Sequence, residues 1–72
     1  MKIIAEAQFK IKQGNLTRHV FIMDDFQKLF ISYPSNQPSE EKIQFYRELI
    51  TESTNMMEYN TRLFDKMILK KR

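Results

Sequence analysis

The chain has 72 residues, of which 42% are hydrophobic and 29% are charged, and its formal net charge is +3. This length allows one domain, near the size at which a single core barely offsets the entropy of ordering the chain. Because cysteine is absent and histidine occurs once, disulfides are excluded and a structural zinc site is disfavoured, which leaves self-association as a further source of burial. We therefore expect a homodimer without cofactors or metals.

The N-terminal segment has no apolar run long enough for a signal peptide or a membrane span, because Glu6, Gln8 and Lys10 interrupt it. We therefore expect a cytoplasmic protein that does not contact membranes. Three of the positive charges lie in residues 70–72 at the end of the chain. The positive net charge by itself is therefore a weak indication of nucleic-acid binding.

Residues 3–11 alternate apolar and polar side chains, apart from Ile4, and this is the period of a half-buried strand. A second apolar run, rich in β-branched and aromatic side chains, occupies residues 16–23. Between the two runs, Gly14 and Asn15 tolerate the positive φ of a tight turn. The pattern predicts a β-hairpin with a two-residue turn.

The predicted turn sets the register of the hairpin and so decides which side chains share a face. Phe9 would lie opposite Val20, and Ala7 opposite Ile22, so that the apolar faces of the two strands coincide. We expect this face to pack against the helix. The other face would stay open to solvent and would carry the following side chains: Gln8, Lys10, Lys12, Thr17, His19 and Phe21.

Residues 24–33 allow two interpretations. Residues 29–33, just before Pro34, are typical of a third strand. Alternatively, Asp24 could cap a short helix that carries Phe26 on its apolar side. We favour the strand, because a two-stranded hairpin is marginal alone and a third strand gives the helix a broader surface to cover.

Residues 34–38 form the one clear loop, and the acidic pair Glu40 and Glu41 after it marks a helix start. Glycine and proline do not recur beyond this point, and apolar residues repeat at helical spacing, which predicts one long helix over residues 39–70. Its weak point is residues 51–55, which are polar and of low helix propensity, and where the helix could break into two.

Together these elements predict an α+β fold: an antiparallel β-hairpin or three-stranded β-meander, followed by one long C-terminal helix. We assign residues 1–72 to a single domain, with the sheet region over 1–33 and a basic tail at 71–72. An unbroken helix would measure about 45–50 Å, whereas a strand of about ten residues spans roughly 33 Å. Part of the helix would therefore extend beyond the sheet and need another partner.

The sequence offers little for catalysis. His19 is the only histidine and cysteine is absent, so His19 is the only candidate base for a nucleophile, and nothing near it in the sequence points to such a pair. The adjacent carboxylates at residues 24–25 and 40–41 lie where capping of turns and helices explains them. We therefore expect a protein that is not an enzyme and has no small-molecule substrate.

The predicted open hairpin face mixes cations with an exposed aromatic ring, an arrangement that can hold phosphates and stack a base. An ordinary solvated strand face is the competing interpretation. Together with the C-terminal tail, this face supplies the predicted nucleic-acid contacts, which are Lys10, Lys12, Arg18, His19, Phe21, Lys70, Lys71 and Arg72.

The second half of the predicted helix carries a methionine-rich stripe, and methionine suits adaptable contact surfaces. The stripe either joins the intramolecular core or forms a dimer or partner interface, with polar Ser53 and Asn60 setting the register. We favour the intermolecular interface for the last turns, because the helix extends beyond the sheet. The predicted interface residues are Met56, Met57, Asn60, Leu63, Phe64 and Met67.

Residues 20–24, Val-Phe-Ile-Met-Asp, and residues 29–35, Leu-Phe-Ile-Ser-Tyr-Pro-Ser, resemble a strand-turn-strand segment ending in a Pro-Ser pair in the stage V sporulation protein G family. Residues 41–43, with the helix after them, are similar to the start of that family's helix. The resemblance implies a small regulator that dimerises and binds nucleic acid, with a third strand at residues 29–33. The longer charged segment that follows the Pro-Ser pair in the family is reduced here to residues 36–38.

Two functions follow from these features. The leading hypothesis is a small dimeric regulatory protein that contacts nucleic acid through a basic sheet face and the C-terminal tail, mainly at phosphates. The alternative is a protein-interaction module, such as a small inhibitor or adaptor of phage or plasmid type, that binds a protein partner through the methionine-rich stripe.

Overall fold

The computed structural model describes residues 1–70, with Leu69 and Lys70 described by their backbone alone. A three-stranded antiparallel sheet is followed by two helices, so the predicted α+β class and the third strand are confirmed. The strands lie in the sheet in chain order, β1-β2-β3. The elements are β1 (Ile3–Ile11), β2 (Leu16–Met23), β3 (Lys28–Pro34), α1 (Glu40–Glu52) and α2 (Met56–Lys70).

The hairpin register differs from the predicted one by two residues. Ile11 lies opposite Leu16, so residues 12–15 form the connection, with Gly14 at φ +79° and Asn15 at φ +53°. The predicted two-residue turn is therefore wrong, and Phe9 lies opposite Arg18 instead of Val20. Because the shift is an even number of residues, the side chains from Ala5 to Ile11 change their opposite residues but still share a face with the β2 side chains predicted for that face. Ile3, beyond an irregularity in the strand, lies opposite Met23 on the other face.

The long helix is interrupted inside the predicted weak segment, so the prediction of a single continuous helix is wrong. α1 ends at Glu52 and is capped by Ser53, whose backbone is extended (φ −93°, ψ 142°) and whose hydroxyl donates to the Leu49 carbonyl at 2.8 Å. A new cap then starts α2, because the Asn55 side-chain oxygen accepts a hydrogen bond from the Glu58 N–H at 2.8 Å. Polar caps at the junction satisfy backbone groups that a continuous helix would have paired internally.

The two helices are held together at this junction and along their sides. Arg62 on α2 forms an ion pair with Glu52 at the end of α1, and a second ion pair within α2 with Glu58. Farther along α2, the Lys66 ammonium lies 5.6 Å from the centre of the Phe45 ring on α1. Since α2 folds back against α1, the structure has a pair of packed helices instead of the predicted single helix that extends beyond the sheet.

The helices cover the face of the sheet that was predicted to be open. Phe21 and Met23 of β2 are fully buried and pack with Tyr33 of β3. The same cluster includes side chains from both helices: Ile43, Leu49, Ile50 and Tyr59. The expectation that Phe9 packs against the helix and that Phe21 is exposed is therefore wrong, since Phe9 is 47% exposed and Phe21 is 0% exposed.

The reason for this reversal lies in the third strand, which the hairpin pattern did not include. Leu29, Ile31 and Tyr33 of β3 join the core on the covered face, whereas the β3 positions on the opposite face include Lys28 and Ser32. The inward positions of β1 are instead polar: Glu6 accepts hydrogen bonds from Arg47 of α1, and it is also hydrogen bonded to His19 of β2. Burial of the apolar side of β3 together with Phe21 and Met23 outweighs the regular alternation of one edge strand.

Candidate functional site

In the described part of the chain, residues 1–70, no helix covers one face of the sheet, and four residues from each strand project from it. We call this surface the open sheet face. Its members are Ala5, Ala7, Phe9 and Ile11 of β1, Leu16, Arg18, Val20 and Ile22 of β2, and Lys28, Phe30, Ser32 and Pro34 of β3. Residues directly opposite one another in an antiparallel pair point to the same side, so this grouping follows from the register.

Two aromatic rings stand on the outer strands of the open sheet face. Phe9 on β1 is 47% exposed and Phe30 on β3 is 53% exposed. Between these strands, Val20 lies opposite both Ala7 and Phe30 and is 7% exposed. The two rings therefore lie on either side of a central strand on which Val20 is buried, and each ring presents apolar surface to solvent.

Arg18 occupies the centre of the open sheet face. Its Nε donates to the Ser32 hydroxyl at 3.4 Å, and its guanidinium lies 5.8 Å from the centre of the Phe30 ring. Within residues 1–70, the ion pairs involve other cations and leave Arg18 without a carboxylate partner. Its positive charge, held over an aromatic ring, remains available to an anion.

All the charged side chains of the open sheet face are positive. Lys28 is the second charged member, and it lies at the end of β3 opposite Ile22. No Asp or Glu is among the twelve residues that make up the face. The surface is therefore apolar and aromatic with two cations, a combination that suits an anionic ligand with flat apolar parts.

The predicted nucleic-acid residues are divided between different parts of the molecule. Phe21 and His19 are buried, at 0% and 7% exposure, so neither can stack a base as predicted. Lys10 and Lys12 are exposed, but outside the open sheet face, and Arg18 alone lies on it. The Lys70 side chain, Lys71 and Arg72 lie outside the described part of the chain.

The open-face aromatics Phe9 and Phe30 were not selected from the sequence. No local signal selects them, because β2 carries apolar side chains on both faces and cannot show by itself which face the helices cover.

A polar cluster lies on the covered face, beneath α1. Glu6 Oε1 is 2.7 Å from His19 Nε2, and Arg47 donates to both Glu6 oxygens at 2.7 and 2.9 Å. The hydrogen bond from Arg47 lowers the pKa of the Glu6 carboxyl, with partial burial opposing it and the bond to His19 assisting it. These contacts tie β1 to β2 and to α1. They make Glu6 a structural residue of the sheet edge.

Beside this cluster is an open cleft of about 680 Å³, lined by residues that include Gln8, His19, Gln44 and Arg47. Its carboxylates come from Glu40, Glu41 and Glu48 along one helix and face solvent. In the part of the chain that the structure describes, no three His, Cys, Asp or Glu side chains are grouped so as to hold a metal ion.

The residues of the predicted methionine-rich stripe are divided between the core and the surface. Met56 and Leu63 are half-buried against the core, and Ser53 is buried at the end of α1. The outward side of α2 keeps Asn60 and a set of exposed apolar side chains. We call these side chains, together with Asn60, the α2 stripe: Met57 (78% exposed), Phe64 (63%), Met67 (53%) and Ile68 (39%).

Comparison of the chain with models of protein families, with curated proteins and with solved structures found no match. The resemblance to the stage V sporulation protein G family therefore stays a prediction. None of the helices in residues 1–70 has the length and apolarity needed to cross a bilayer. Fold and surface together define a class: an α+β protein with a helix-covered sheet face and an open, aromatic, cationic one.

Proposed function

We propose that this chain is a small binding protein, without catalytic activity, that contacts single-stranded nucleic acid through the open sheet face. This keeps the predicted function but moves the contact surface to the opposite face of the sheet. The observation that carries the proposal is the group of Phe9, Arg18 and Phe30, two half-exposed rings on either side of an arginine that has no carboxylate partner among residues 1–70.

The chemistry of this group matches the two parts of a nucleotide. An exposed phenylalanine ring can stack on any unpaired base, and such stacking contributes about 1–3 kcal/mol per base. A guanidinium binds phosphate through charge and a planar set of donors. Duplex DNA or RNA offers phosphates but keeps its base faces stacked inside the helix, so the aromatic contribution is specific to single strands.

We also propose that the protein dimerises through the α2 stripe. Met57 and Phe64 are seven residues apart, as are Asn60 and Met67, which is the spacing of the facing positions when two helices pair along their length. All four side chains are exposed. A second copy would cover them with a stripe of the same composition.

Fluorescence anisotropy with labelled single-stranded and duplex oligonucleotides of the same sequence, at two salt concentrations, tests the nucleic-acid proposal. The protein is expected to bind the single strand more tightly. Phe30→Ala is expected to weaken that binding by about 1–3 kcal/mol, and Arg18→Gln to reduce the salt slope by about one. Phe26→Ala is the matched control, because Phe26 is 77% exposed in the turn between β2 and β3.

Absence of binding to either oligonucleotide at low salt would reject the proposal. An equal effect of Phe26→Ala and Phe30→Ala would also count against it, since a general loss of apolar surface would then explain the data. Melting curves of all variants establish that the fold is retained.

A second candidate function is binding of a different protein through the α2 stripe, as in the alternative hypothesis above. The observation that favours it is the exposure of Met57 and Phe64, at 78% and 63%, since contiguous exposed apolar side chains mark interaction surfaces. This candidate predicts loss of partner binding in Phe64→Glu and no effect of Phe30→Ala. Affinity capture from the host with both variants separates the two functions.

A further inference from the structure

The spacing of the two open-face rings limits how a nucleic acid can engage them. Phe9 lies opposite Arg18, whereas Phe30 lies opposite Val20, two residues farther along β2. With strands about 4.8 Å apart and a rise of about 3.3 Å per residue, the two phenylalanine Cα atoms are roughly 12 Å apart. The rings thus stand diagonally across all three strands of the sheet.

This separation is several times the distance of about 3.4 Å between neighbouring bases along one strand of a duplex. Two adjacent stacked bases therefore cannot reach both rings. A strand that uses both rings must be unstacked, with at least one nucleotide between the two stacking bases. The backbone of that intervening nucleotide would cross β2 near Arg18, which lies opposite Phe9 and over the Phe30 ring.

We infer that the open sheet face binds a unit of three nucleotides, whose outer bases stack on Phe9 and Phe30 and whose linking phosphates contact Arg18. This inference rests on the proposed function and adds the size and conformation of the ligand. The unit is an unpaired, extended segment that runs diagonally from β1 to β3. Little base specificity is expected, because ring stacking and phosphate contacts accept every base.

Charge favours this occupant over a second copy of the chain. The face carries Arg18 and Lys28 and no carboxylate. A second open sheet face placed against it would bring two more cations into the same apolar interface, with no anion to pair with them, and burying unpaired charge is costly. A strand with one phosphate per nucleotide supplies the missing negative charge.

A length series tests the inference. Unlabelled oligothymidylates of two to eight nucleotides compete with a labelled octamer for the full chain, and anisotropy reports the displaced label. Affinity is expected to rise by about tenfold between two and three nucleotides, where the second ring is first engaged. Further lengthening is expected to add smaller, gradual gains from extra phosphate contacts and sliding positions.

Variants of the two phenylalanines test the same inference. With three nucleotides, Phe9→Ala and Phe30→Ala are each expected to weaken binding by about tenfold. With two nucleotides, each single variant is expected to lose little, because one base can still stack on the remaining ring, and only the double variant is expected to lose about tenfold. Phe26→Ala should change neither series. Wild-type binding with a smooth length dependence, or with no loss in Phe9→Ala, would overturn the three-nucleotide unit and leave the proposed function standing. Failure of the wild type to bind any length would overturn both.

Discussion

Phe9 and Phe21 belong to neighbouring strands of one hairpin and have opposite environments. Phe21 is fully buried beneath the helices, with the His19 ring centre 4.7 Å from its own, whereas Phe9 is 47% exposed on the open sheet face. Truncating a buried ring removes apolar contacts and leaves a cavity. Truncating a half-exposed ring mainly changes the surface available to a ligand.

Phe21→Ala is expected to lower the free energy of unfolding by about 3–5 kcal/mol, and Phe9→Ala by about 1 kcal/mol, since only half of its side chain leaves water on folding. Denaturant melts at one fixed protein concentration measure both values. Equal losses would mean that a second layer covers Phe9 in solution. If Phe21→Ala does not fold, Phe21→Leu should still be less stable than Phe9→Leu.

Glu6 is expected to make stability depend on pH. Its pKa is lowered in the folded chain, chiefly by the hydrogen bond from Arg47. Its stabilising contribution is therefore complete above its ordinary pKa of 4.5 and is lost as the pH falls through the lower folded value. At pH 7, Glu6→Gln should cost about 1 kcal/mol, allowing for solvent screening of a partly exposed pair.

Urea melts of the wild type and Glu6→Gln between pH 3 and pH 7 test this expectation. The difference between the two proteins should shrink below about pH 4.5 and stay constant above about pH 6. Glu41→Gln is the control, because Glu41 is exposed on α1 and takes part in none of the ion pairs among residues 1–70. A difference that grows on acidification would show that Glu6 stabilises the fold through its neutral form.

At the scale of elements, α2 differs from α1 in how much of its apolar surface is used internally. α1 buries Ile43, Leu49 and Ile50 against the sheet. α2 contributes Tyr59 to the core, where burial raises the pKa of the phenol, and leaves Phe64 and Met67 exposed on its outward side. A helix with apolar surface on two sides is expected to pack against two neighbours.

Phe64→Glu is expected to convert the proposed dimer into a monomer, because it places a charge in the middle of the α2 stripe. Light scattering over a wide dilution series measures the mass, which for a monomer is 8.8 kDa. The matched control is Phe26→Glu, which makes the same substitution at an exposed phenylalanine outside the stripe. A wild-type mass of 8.8 kDa at all concentrations would contradict dimerisation.

At the scale of the whole molecule, the chain is thin, measuring 35 × 33 × 18 Å along its principal axes. The sheet and the helices form two layers, so the open sheet face and the helix layer have their outer surfaces on opposite sides. The proposed nucleic-acid and dimer surfaces therefore do not overlap. A dimer formed through α2 would carry two open sheet faces that can engage one long strand together.

This separation predicts that Phe64→Glu leaves the affinity for a short oligonucleotide within about a factor of two of the wild-type value, because the open sheet face is unchanged. Binding to a strand long enough for both copies should weaken by about a hundredfold, because the second contact is no longer intramolecular. Anisotropy with labelled octamers and with strands several times longer measures the two affinities. A similar loss at both lengths would place α2 within the binding surface.

The sequence by itself determined most of the elements of this protein, but not the division of the predicted long helix into two. Local signals were sufficient for the rest: alternation in β1, turn-forming residues after it, and proline and acidic residues before α1. Low helix propensity marked residues 51–55 as a weak segment without deciding that the helix breaks there. The sequence also determined which side chains from Ala5 onward share a face of the hairpin, since an error of two residues in register leaves each of them on its own side. Ile3 is the exception, because the irregularity between Ile3 and Ala5 places it opposite Met23 on the covered face.

Only the tertiary structure decided which face of the sheet the helices cover. β2 is apolar on both sides, so its sequence is compatible with either orientation, and the outcome depends on the summed burial of side chains from β2, β3 and both helices. Phe21 and Met23 fit that cluster, whereas Phe9 and Phe30 remain beside Arg18 on the other side. The candidate site is therefore a product of packing, because exposure is set by neighbours distant in sequence.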